Sequence, residues 1–288
     1  MLRRSALFMP GNNPAMLLSA PILGSDCIIF DLEDSVSLNQ KDSARLLVKH
    51  AIETLDFGSV EVVVRINPVS SQGWKQDLRE IVPVYPDAIM IPKACKEDVE
   101  EIERFILEIE EEKQLTKKVK LMIIVETAYG IETIVETLRC SRRIECVLLG
   151  AEDLTTDLGI KRTKEGYEID YARAKVAMAA RAFSVQAMDT PFTDVEDTEG
   201  LVKDTLHAKS LGFSAKACIH PNQIDAIHAV FDPTQSEIDS AIEILEERDR
   251  ALSSGLGVFS IHGKMIDLPV IQRAQNIVDL ARKTGKLK

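Results

Sequence analysis

The sequence Met-Ile-Ile-Val-Glu at residues 122–126, with Val-Leu-Leu-Gly-Ala-Glu-Asp at 147–153, carries the pattern that decides the fold of this chain. The same pattern, a short apolar run ending in a charged residue, recurs in Cys-Ile-Ile-Phe-Asp at 27–31 and Val-Val-Val-Arg at 62–65. Short apolar runs rich in β-branched side chains are typical of strands buried on both faces. Because helical patterns separate these runs, their charged ends predict an enzyme with its active site at the strand ends of an α/β barrel.

Eight such strands are predicted along the chain, each followed by further chain with helical character. The predicted strands cover residues 5–9, 27–31, 61–66, 87–91, 119–125, 145–149, 185–189 and 213–218. The predicted helices between them include residues 38–55, 97–112, 130–140, 170–183 and 196–211. Eight alternations without a Gly/Pro/Ser linker favour an α/β fold of the (β/α)8 TIM-barrel type. The alternative, an open Rossmann sheet, lacks its Gly-x-Gly-x-x-Gly sequence after any strand.

The chain continues past the eighth strand for longer than one barrel helix requires. Helical patterns at 222–230, 235–253 and 269–283 enclose an extended stretch at 257–267. We therefore predict two domains, a barrel over 1–230 and a C-terminal helical and extended appendage over 231–288. The appendage could cover its own barrel or pack on a neighbouring subunit.

Composition excludes several classes of function. The net charge of −11 and the isoelectric point near 5.1 argue against a nucleic-acid surface, because phosphate binding needs a basic face. No apolar run reaches the roughly 18 residues of a membrane-spanning helix, and the N-terminal run is too short for a signal peptide. Five cysteines without a Cys-x-x-Cys pair predict reduced, buried thiols and a cytoplasmic location. A catalytic thiol, Cys218 beside His220, is the less favoured alternative.

Two carboxylates predict a metal site. Glu126 and Asp153 are expected to end the fifth and sixth strands, which are neighbours, so that both side chains converge above the barrel. Two carboxylates completed by waters and substrate oxygens suit Mg²⁺. Glu152 lies beside Asp153, and the small residues Gly150 and Ala151 let backbone amides approach a ligand. The alternative is that these carboxylates cap the helices that follow.

Arg65 ends the third strand, where a guanidinium can bind a carboxylate in bidentate fashion. Its alternative role is to pair with an acidic cluster at the end of the second strand, formed by Asp31, Glu33 and Asp34. The two roles can coexist, because a site with many acidic groups needs an arginine to hold an anionic substrate.

Two further candidates lie at strand ends. Lys93, in Ile-Pro-Lys, could form a Schiff base, but a lysine near so many acids is expected to stay charged and to form ion pairs. His220, in Ile-His-Pro-Asn, is interpreted as a hydrogen-bonding residue rather than a metal ligand. No His-x-x-x-His pair occurs, so a zinc site is not predicted.

Seven motifs taken together resemble the HpcH/HpaI aldolase and acyl-CoA lyase family, which includes the citrate lyase β subunits and the malyl-CoA lyases. The similarity runs in order from residue 3 to about 275. It rests on Arg-Arg-Ser-Ala-Leu-Phe-Met-Pro-Gly (3–11), Phe-Asp-Leu-Glu-Asp-Ser-Val (30–36), Val-Arg-Ile-Asn-Pro (64–68), Ile-Pro-Lys (91–93), Gly-Ala-Glu-Asp (150–153), Ile-His-Pro-Asn-Gln-Ile (219–224) and Gly-Lys-Met-Ile-Asp (263–267).

The resemblance implies a Mg²⁺-dependent carbon–carbon lyase on a (β/α)8 barrel, trimeric or hexameric, that cleaves a citryl thioester to oxaloacetate and an acetyl thioester. It implies that Arg65 holds a substrate carboxylate and that Glu126 and Asp153 bind the metal. Asp267 would serve as an acid or base in the neighbouring subunit's site. The alternatives are a stand-alone lyase or synthase for malyl-CoA or a related acyl-CoA, and a non-catalytic subunit. The presence of all four residues argues against the last.

One departure from the CoA-using relatives concerns the thioester carrier. Those relatives often have basic residues after the Pro-Gly turn, whereas here no Lys or Arg occurs between Arg4 and Lys41. This is similar to the citrate lyase β subunits, whose thioester is carried on an acyl carrier protein and which work with α and γ subunits. The loop Lys161-Arg162-Thr163-Lys164 could contact the carrier, or its charges could simply be solvated.

Overall fold

Eight parallel strands close into a barrel in the computed structural model, which describes residues 2–253, 259–261 and 263–287. The strands are β1 (Ser5–Pro10), β2 (Cys27–Asp31), β3 (Glu61–Arg65), β4 (Ala88–Ile91), β5 (Lys120–Val125), β6 (Ile144–Leu149), β7 (Gln186–Asp189) and β8 (Ala215–Cys218). Each strand pairs with the next along the chain, and β1 also pairs with β8. The predicted (β/α)8 barrel is confirmed.

Helices follow the strands of the barrel along the chain. They are α1 (Pro14–Ser19), α2 (Lys41–Thr54), α3 (Trp74–Ile81), α4 (Lys96–Glu112), α5 (Ala128–Glu132), α6 (Ile134–Cys140), α7 (Ala151–Asp157), α8 (Asp170–Ala182), α9 (Thr198–Leu211) and α10 (Ile224–Phe231). The single helix predicted over 130–140 is two helices that meet at Thr133. The helices α1, α3 and α7, each of eight residues or fewer, were not predicted from the sequence.

The barrel interior is filled by alternate residues of the strands. Cys27 and Ile29 of β2 point inward, as do Met122 and Ile124 of β5, and β8 contributes the small residues Ala215 and Ala217. The intervening residues are buried under the helices; Phe30, for example, packs edge to face on Phe57 at 5.9 Å between ring centroids. Burial on both faces explains why these strands read as continuous apolar runs.

The N-terminal end of the barrel is closed by buried polar groups. Arg3, only 6% exposed, pairs with Glu61 and donates to Gln186 Oε1 at 2.6 Å. Buried ion pairs and hydrogen bonds at this end of a barrel contribute to the fold, whereas the C-terminal ends of the strands carry the chemistry.

The chain divides into two compact units, Arg3–His228 and a smaller unit of Ala229–Lys288 with the first two residues. The smaller unit contains α11 (Gln235–Ser253), the antiparallel pair β9 (Phe259–Ile261) and β10 (Lys264–Ile266), and α12 (Leu268–Lys283). Its helices pack through Ala241 of α11 against Ala274 and Val278 of α12. Part of the predicted extended stretch, residues 257, 258 and 262, lies outside the described residues. Among the helices described, none is long and apolar enough to cross a membrane.

Candidate active site

A cavity of about 460 Å³ opens at the C-terminal ends of the barrel strands. Strand ends or the residues just after them supply most of its wall, as expected for an active site in this architecture. The lining residues are Phe8, Met9, Pro10, Asp31, Asp34, Ser35, Arg65, Ile124, Glu126, Leu148, Gly150, Ala151, Glu152, Asp153, Thr190, Pro191 and Ile219. Of the residues predicted from the sequence, Arg65, Glu126, Glu152, Asp153, Asp31 and Asp34 therefore face one space.

Arg65 is held in place by its neighbour on β2. The parallel register sets Asp31 opposite Arg65, so the two side chains leave adjacent strand ends side by side. Arg65 Nε and Nη2 donate to the two Asp31 carboxylate oxygens, each at 2.7 Å, and the guanidinium lies 5.1 Å from the centroid of the Phe8 ring. The ion pair considered as an alternative from the sequence is thus formed, and it fixes the guanidinium at the cavity wall.

Asp31 is saturated with hydrogen bonds. Besides Arg65, it accepts from the backbone N–H groups of Glu33 at 2.8 Å and Ser35 at 3.0 Å, and from Ser35 Oγ at 2.5 Å. Burial alone raises the pKa of Asp31, but Arg65 and these donors outweigh it and hold the pKa below its usual value. Asp31 is therefore a permanent negative charge behind Arg65.

Glu33 and Asp34 complete the acidic cluster in different ways. Glu33 is buried; its Oε2 lies 2.8 Å from Arg65 Nη1 but outside hydrogen-bond geometry, so this oxygen has no hydrogen-bond partner. The charge contact with Arg65 does not depend on hydrogen-bond alignment. Burial nevertheless raises the pKa of Glu33 more than Arg65 lowers it. Asp34 is largely exposed and lies 3.9 Å from Arg65 Nη1.

Glu126 follows β5 and is only 5% exposed. Its Oε1 accepts the backbone N–H of Lys93 at 2.7 Å, which is its one hydrogen bond within the described part of the chain. Burial raises the pKa of Glu126 to about 8, because a single N–H donor does not replace the hydration of a carboxylate. The N-cap of α5 is Thr127, not Glu126, so the capping alternative is wrong for this residue.

The predicted position of Asp153 at a strand end is wrong. β6 ends at Leu149, and Glu152 and Asp153 belong to the first turn of α7, where negative charge suits the helix dipole. Gly150 makes this close turn feasible: a Cβ there would stand 2.5 Å from Glu126 Oε2. The end of β6 can thus approach Glu126 only without a side chain at this position.

Lys93 connects the two candidate metal ligands. It has a left-handed backbone, with φ of +49°, its N–H donates to Glu126, and its Nζ lies 2.9 Å from Asp153 Oδ2 and 3.5 Å from Glu33 Oε1. Burial lowers the pKa of Lys93, but the two carboxylates outweigh it and raise the pKa above its usual value. A lysine held in its charged form is a poor Schiff-base nucleophile.

His220 and Cys218 lie at the end of β8. His220 is exposed and caps a short 3₁₀ turn, with Nδ1 accepting the N–H of Asn222 at 3.2 Å. Cys218 is fully buried, and burial raises the pKa of its thiol to about 12. All five cysteines are free.

Asp267 belongs to the smaller unit. It is the N-cap of α12, where its Oδ1 accepts the backbone N–H of Val270 at 3.2 Å. A capping role satisfies one helix-end donor and leaves the second carboxylate oxygen for other contacts.

The comparison with protein-family models matches residues 4–221 to the HpcH/HpaI aldolase/citrate lyase family, three-quarters of the chain and nearly the whole barrel. The chain belongs to this family. It is 42% identical over 282 residues to the citrate lyase subunit beta of Leuconostoc mesenteroides subsp. cremoris, covering 97% of this chain and 93% of the relative. It is 36% identical over 293 residues to the mitochondrial citramalyl-CoA lyase of Mus musculus, covering 97% and 86%. These relatives are carbon–carbon lyases, and the chain is an enzyme of that class.

A solved structure of the same family supports the assignment. The protein CitE from Mycobacterium tuberculosis, in complex with magnesium, acetoacetate and coenzyme A, superimposes with a TM-score of 0.80 at 28% identity, covering 98% of each chain. The matched residues include those of both compact units of this chain.

A buried charge network was not predicted from the sequence. Arg173 of α8 donates to both carboxylate oxygens of Asp189, each at 2.9 Å, and Lys216 Nζ donates to Asp189 at 2.5 Å and Asp204 at 2.6 Å. Lys216 also donates to the carbonyl of Thr190, a residue of the cavity wall, at 2.7 Å. The available signal was the single lysine in the apolar strand Ser-Ala-Lys-Ala-Cys (214–218).

Proposed function

We propose that the protein is a Mg²⁺-dependent lyase that cleaves a citryl thioester to oxaloacetate and an acetyl thioester. The observation that carries this proposal is the meeting of Arg65, Glu126 and Asp153 in one cavity at the strand ends. The sequence identity to a citrate lyase subunit beta supports the choice of the citryl group. A stand-alone lyase for malyl-CoA or a related acyl-CoA is the alternative, supported by the citramalyl-CoA lyase relative.

The residues fit a magnesium ion. Among the described residues, no group of three or more His, Cys, Asp or Glu side chains is arranged to hold a metal ion. The proposed protein ligands are therefore only two, the carboxylates of Glu126 and Asp153. Mg²⁺ binds oxygen, keeps several waters and is commonly held by one or two carboxylates. Glu126 is buried with one hydrogen bond, and a cation is what would compensate its charge. Bound Mg²⁺ supplies positive charge that stabilises negative charge developing on substrate oxygen.

The chain's own residues would perform the remaining tasks. Arg65, fixed by Asp31, would hold the carboxylate of the oxaloacetate half that lies away from the breaking bond. The substrate hydroxyl would give its proton to solvent in the open cavity and become the keto oxygen of oxaloacetate as the C–C bond breaks. The bond's electron pair passes to the thioester half as its enolate, and Asp267 would donate a proton to that carbon to give the acetyl thioester. Glu152, exposed at the rim, is a candidate for substrate contact.

We expect Arg65→Lys to reduce kcat/KM by about 100-fold or more. Lysine keeps the charge, but it cannot pair with both oxygens of Asp31 or of a substrate carboxylate. Steady-state kinetics on protein whose circular dichroism matches the wild type measures the effect. A lysine variant close to the wild-type rate would mean that only a diffuse positive charge is required.

The oligomer and the role of the appendage are part of this proposal. Residues 231–288 would pack on a neighbouring subunit of a homotrimer or hexamer and bring Asp267 to that subunit's cavity. Support comes from Asp267, a carboxylate suited to proton transfer that directly follows β10.

Mixing two inactive variants tests this arrangement. Asp267→Asn keeps a capping oxygen for Val270 N–H but loses the acid, and Glu126→Gln loses a metal ligand. After subunit exchange the mixture should regain part of the activity, about a quarter of it if pairing is random, because some sites receive two intact halves. Exchange is verified by mass spectrometry on isotope-labelled subunits. No recovery after verified exchange would place Asp267 in its own subunit's site or outside catalysis.

For the thioester carrier we propose an acyl carrier protein rather than free CoA, together with partner α and γ subunits and a cytoplasmic location. The segment after β1 begins with uncharged residues, Asn12 bonding to Gln40 and Asn13 capping α1, so it offers no cation to CoA phosphates. In the loop at 161–164, Arg162 pairs with Glu168 and Lys164 with Asp194. Lys161 is therefore the residue of that loop best suited to a carrier contact.

Substrate specificity tests the function itself. The purified protein with Mg²⁺ should release oxaloacetate from a citryl thioester, faster from citryl carrier protein than from citryl-CoA, and much more slowly from malyl-CoA. Oxaloacetate release is followed by coupled reduction with NADH. Preference for malyl-CoA would favour the stand-alone lyase, and no release from any thioester would favour a non-catalytic subunit.

A further inference from the structure

Lys93 occupies a backbone conformation that needs an explanation. It follows β4 after one intervening residue, and its φ of +49° lies in the left-handed region that lysine rarely adopts. This conformation costs about 1 kcal/mol or more and persists only where surrounding contacts maintain it. Here the maintaining contacts are the N–H of Lys93 to Glu126 Oε1 at 2.7 Å and the N–H of Ala94 to the carbonyl of Ile124 at 3.0 Å.

The Lys93 side chain has two carboxylate partners, one in the first turn of α7 and one in the loop after β2. Its ammonium lies 2.9 Å from Asp153 Oδ2 and 3.5 Å from Glu33 Oε1, with 41% of the side chain exposed. One residue thus orients Glu126 through its backbone and partly compensates the charges of Asp153 and Glu33 through its side chain. Six carboxyl groups surround this region, Asp31, Glu33, Asp34, Glu126, Glu152 and Asp153. A positive charge among them reduces their mutual repulsion.

We propose that Lys93 is a positioning residue whose ammonium pairs with Asp153 until a divalent cation displaces it, and then turns to an anionic group of the substrate. This inference rests on the proposed magnesium site. Lys93 and a cation compete for the single negative charge of Asp153, so cation binding weakens the Lys93–Asp153 pair. The backbone of Lys93 stays bound to Glu126, so the released ammonium remains nearby and provides a second positive group besides Arg65.

The two roles predict effects of opposite sign. Removing the ammonium removes a competitor for Asp153 and a charge that repels the cation. A unit charge several ångströms from a divalent cation changes the affinity of the site for that cation about tenfold, even at the dielectric constant of water. The same removal deletes a charged hydrogen-bond donor for the substrate, worth about tenfold or more in affinity. A residue that served only the structure of the site would weaken both kinds of binding.

The experiment measures binding rather than turnover. Mn²⁺ binding is measured by electron paramagnetic resonance, and oxaloacetate binding at saturating Mn²⁺ by calorimetry, for the wild type and Lys93→Met. We expect Lys93→Met to bind Mn²⁺ about tenfold more tightly and oxaloacetate about tenfold more weakly. Lys93→Arg, which keeps the charge, should stay near the wild type in Mn²⁺ affinity.

Two controls separate the ammonium from other effects. Lys93→Gly accepts the left-handed backbone without strain and keeps the N–H to Glu126, so it should reproduce both changes of Lys93→Met. Lys49→Met removes a lysine that pairs with Glu80 away from the cavity, and it should change neither affinity.

The outcomes distinguish this inference from the proposed function. If the wild type binds Mn²⁺ and Lys93→Met binds it equally or less tightly, the displacement inference is wrong while the metal site stands. If Lys93→Met binds Mn²⁺ more tightly but oxaloacetate as well as the wild type does, the substrate role is wrong. If the wild type binds neither Mn²⁺ nor Mg²⁺, the proposed function and the inference both fail.

Discussion

Glu126→Gln and Asp153→Asn should each abolish Mg²⁺-dependent cleavage, with a loss of about 1,000-fold or more, while the barrel stays folded. Glutamine keeps the shape of Glu126 and can accept the N–H of Lys93, but it offers a cation no negative charge. Asparagine at 153 likewise loses the charge that pairs with Lys93. Because both residues line a cavity and not the apolar core, neither change should disturb the packing.

Stability gives an independent readout for Glu126. Ionised Glu126 is desolvated with one hydrogen bond, so at pH 8.5 (above its raised pKa) the neutral glutamine should leave the metal-free protein as stable as the wild type or more so. Added Mg²⁺ should raise the unfolding temperature of the wild type but not of Glu126→Gln, because only the wild type binds it. Glu80→Gln, at a surface ion pair, serves as the matched control.

The cleavage rates of the wild type and of both variants are measured across Mg²⁺ concentrations and in excess chelator. Thermal unfolding of the same proteins is measured in parallel. Wild-type activity in both variants, or undiminished activity in the chelator, would contradict the metal site. Loss of activity together with loss of the folded circular dichroism spectrum would mean instead that the carboxylates hold the fold.

Lys216→Met should destabilise the protein by about 3–5 kcal/mol, the usual cost of removing one partner from a buried ion pair. Lys216 is fully buried on β8, and it donates to Asp189, Asp204 and the carbonyl of Thr190. Methionine fills a similar volume but leaves one uncompensated negative charge in the interior. Denaturant unfolding measures the change in the free energy of unfolding. Lys49→Met, which breaks an ion pair at the surface, should cost about 1 kcal/mol or less.

A double variant and a pH series test the electrostatic cause. Lys216→Met with Asp204→Asn restores neutrality of the network, so it should recover part of the lost stability. Burial alone raises the pKa of Asp204, but Lys216 and Arg173 outweigh it and hold the pKa below its usual value. The stabilisation by Asp204 is therefore present above its unfolded-state pKa, near 4, and is lost as the pH falls below that value. A destabilisation by Lys216→Met below about 1 kcal/mol would contradict this account.

The strands were predictable because each signal is local. Val-Val-Val-Arg and Cys-Ile-Ile-Phe-Asp are buried on both faces, and the predicted strands agree with the structure to within about two residues at either end. The helix α7 was not predictable in the same way, since its only apolar residues are Ala151 and Leu154, too few to define a period. The helix α3 was missed although Trp74, Leu78 and Ile81 are buried at helical spacing. Missing α7 led directly to the wrong placement of Asp153, whose backbone is helical rather than extended.

The sequence by itself determined the barrel, the strand ends that carry charge, and Arg65, Glu126 and Asp153 as residues that meet in one cavity. Only the tertiary structure decided how these groups interact. The β2–β3 register pairs Asp31 with Arg65, Gly150 leaves room for Glu126, and the left-handed Lys93 reaches both metal-ligand candidates. The network of Arg173, Asp189, Asp204 and Lys216 likewise joins residues up to 43 positions apart. Periodicity reports which face of an element is buried, whereas ion pairs depend on which elements become neighbours, and that is settled only when the barrel closes.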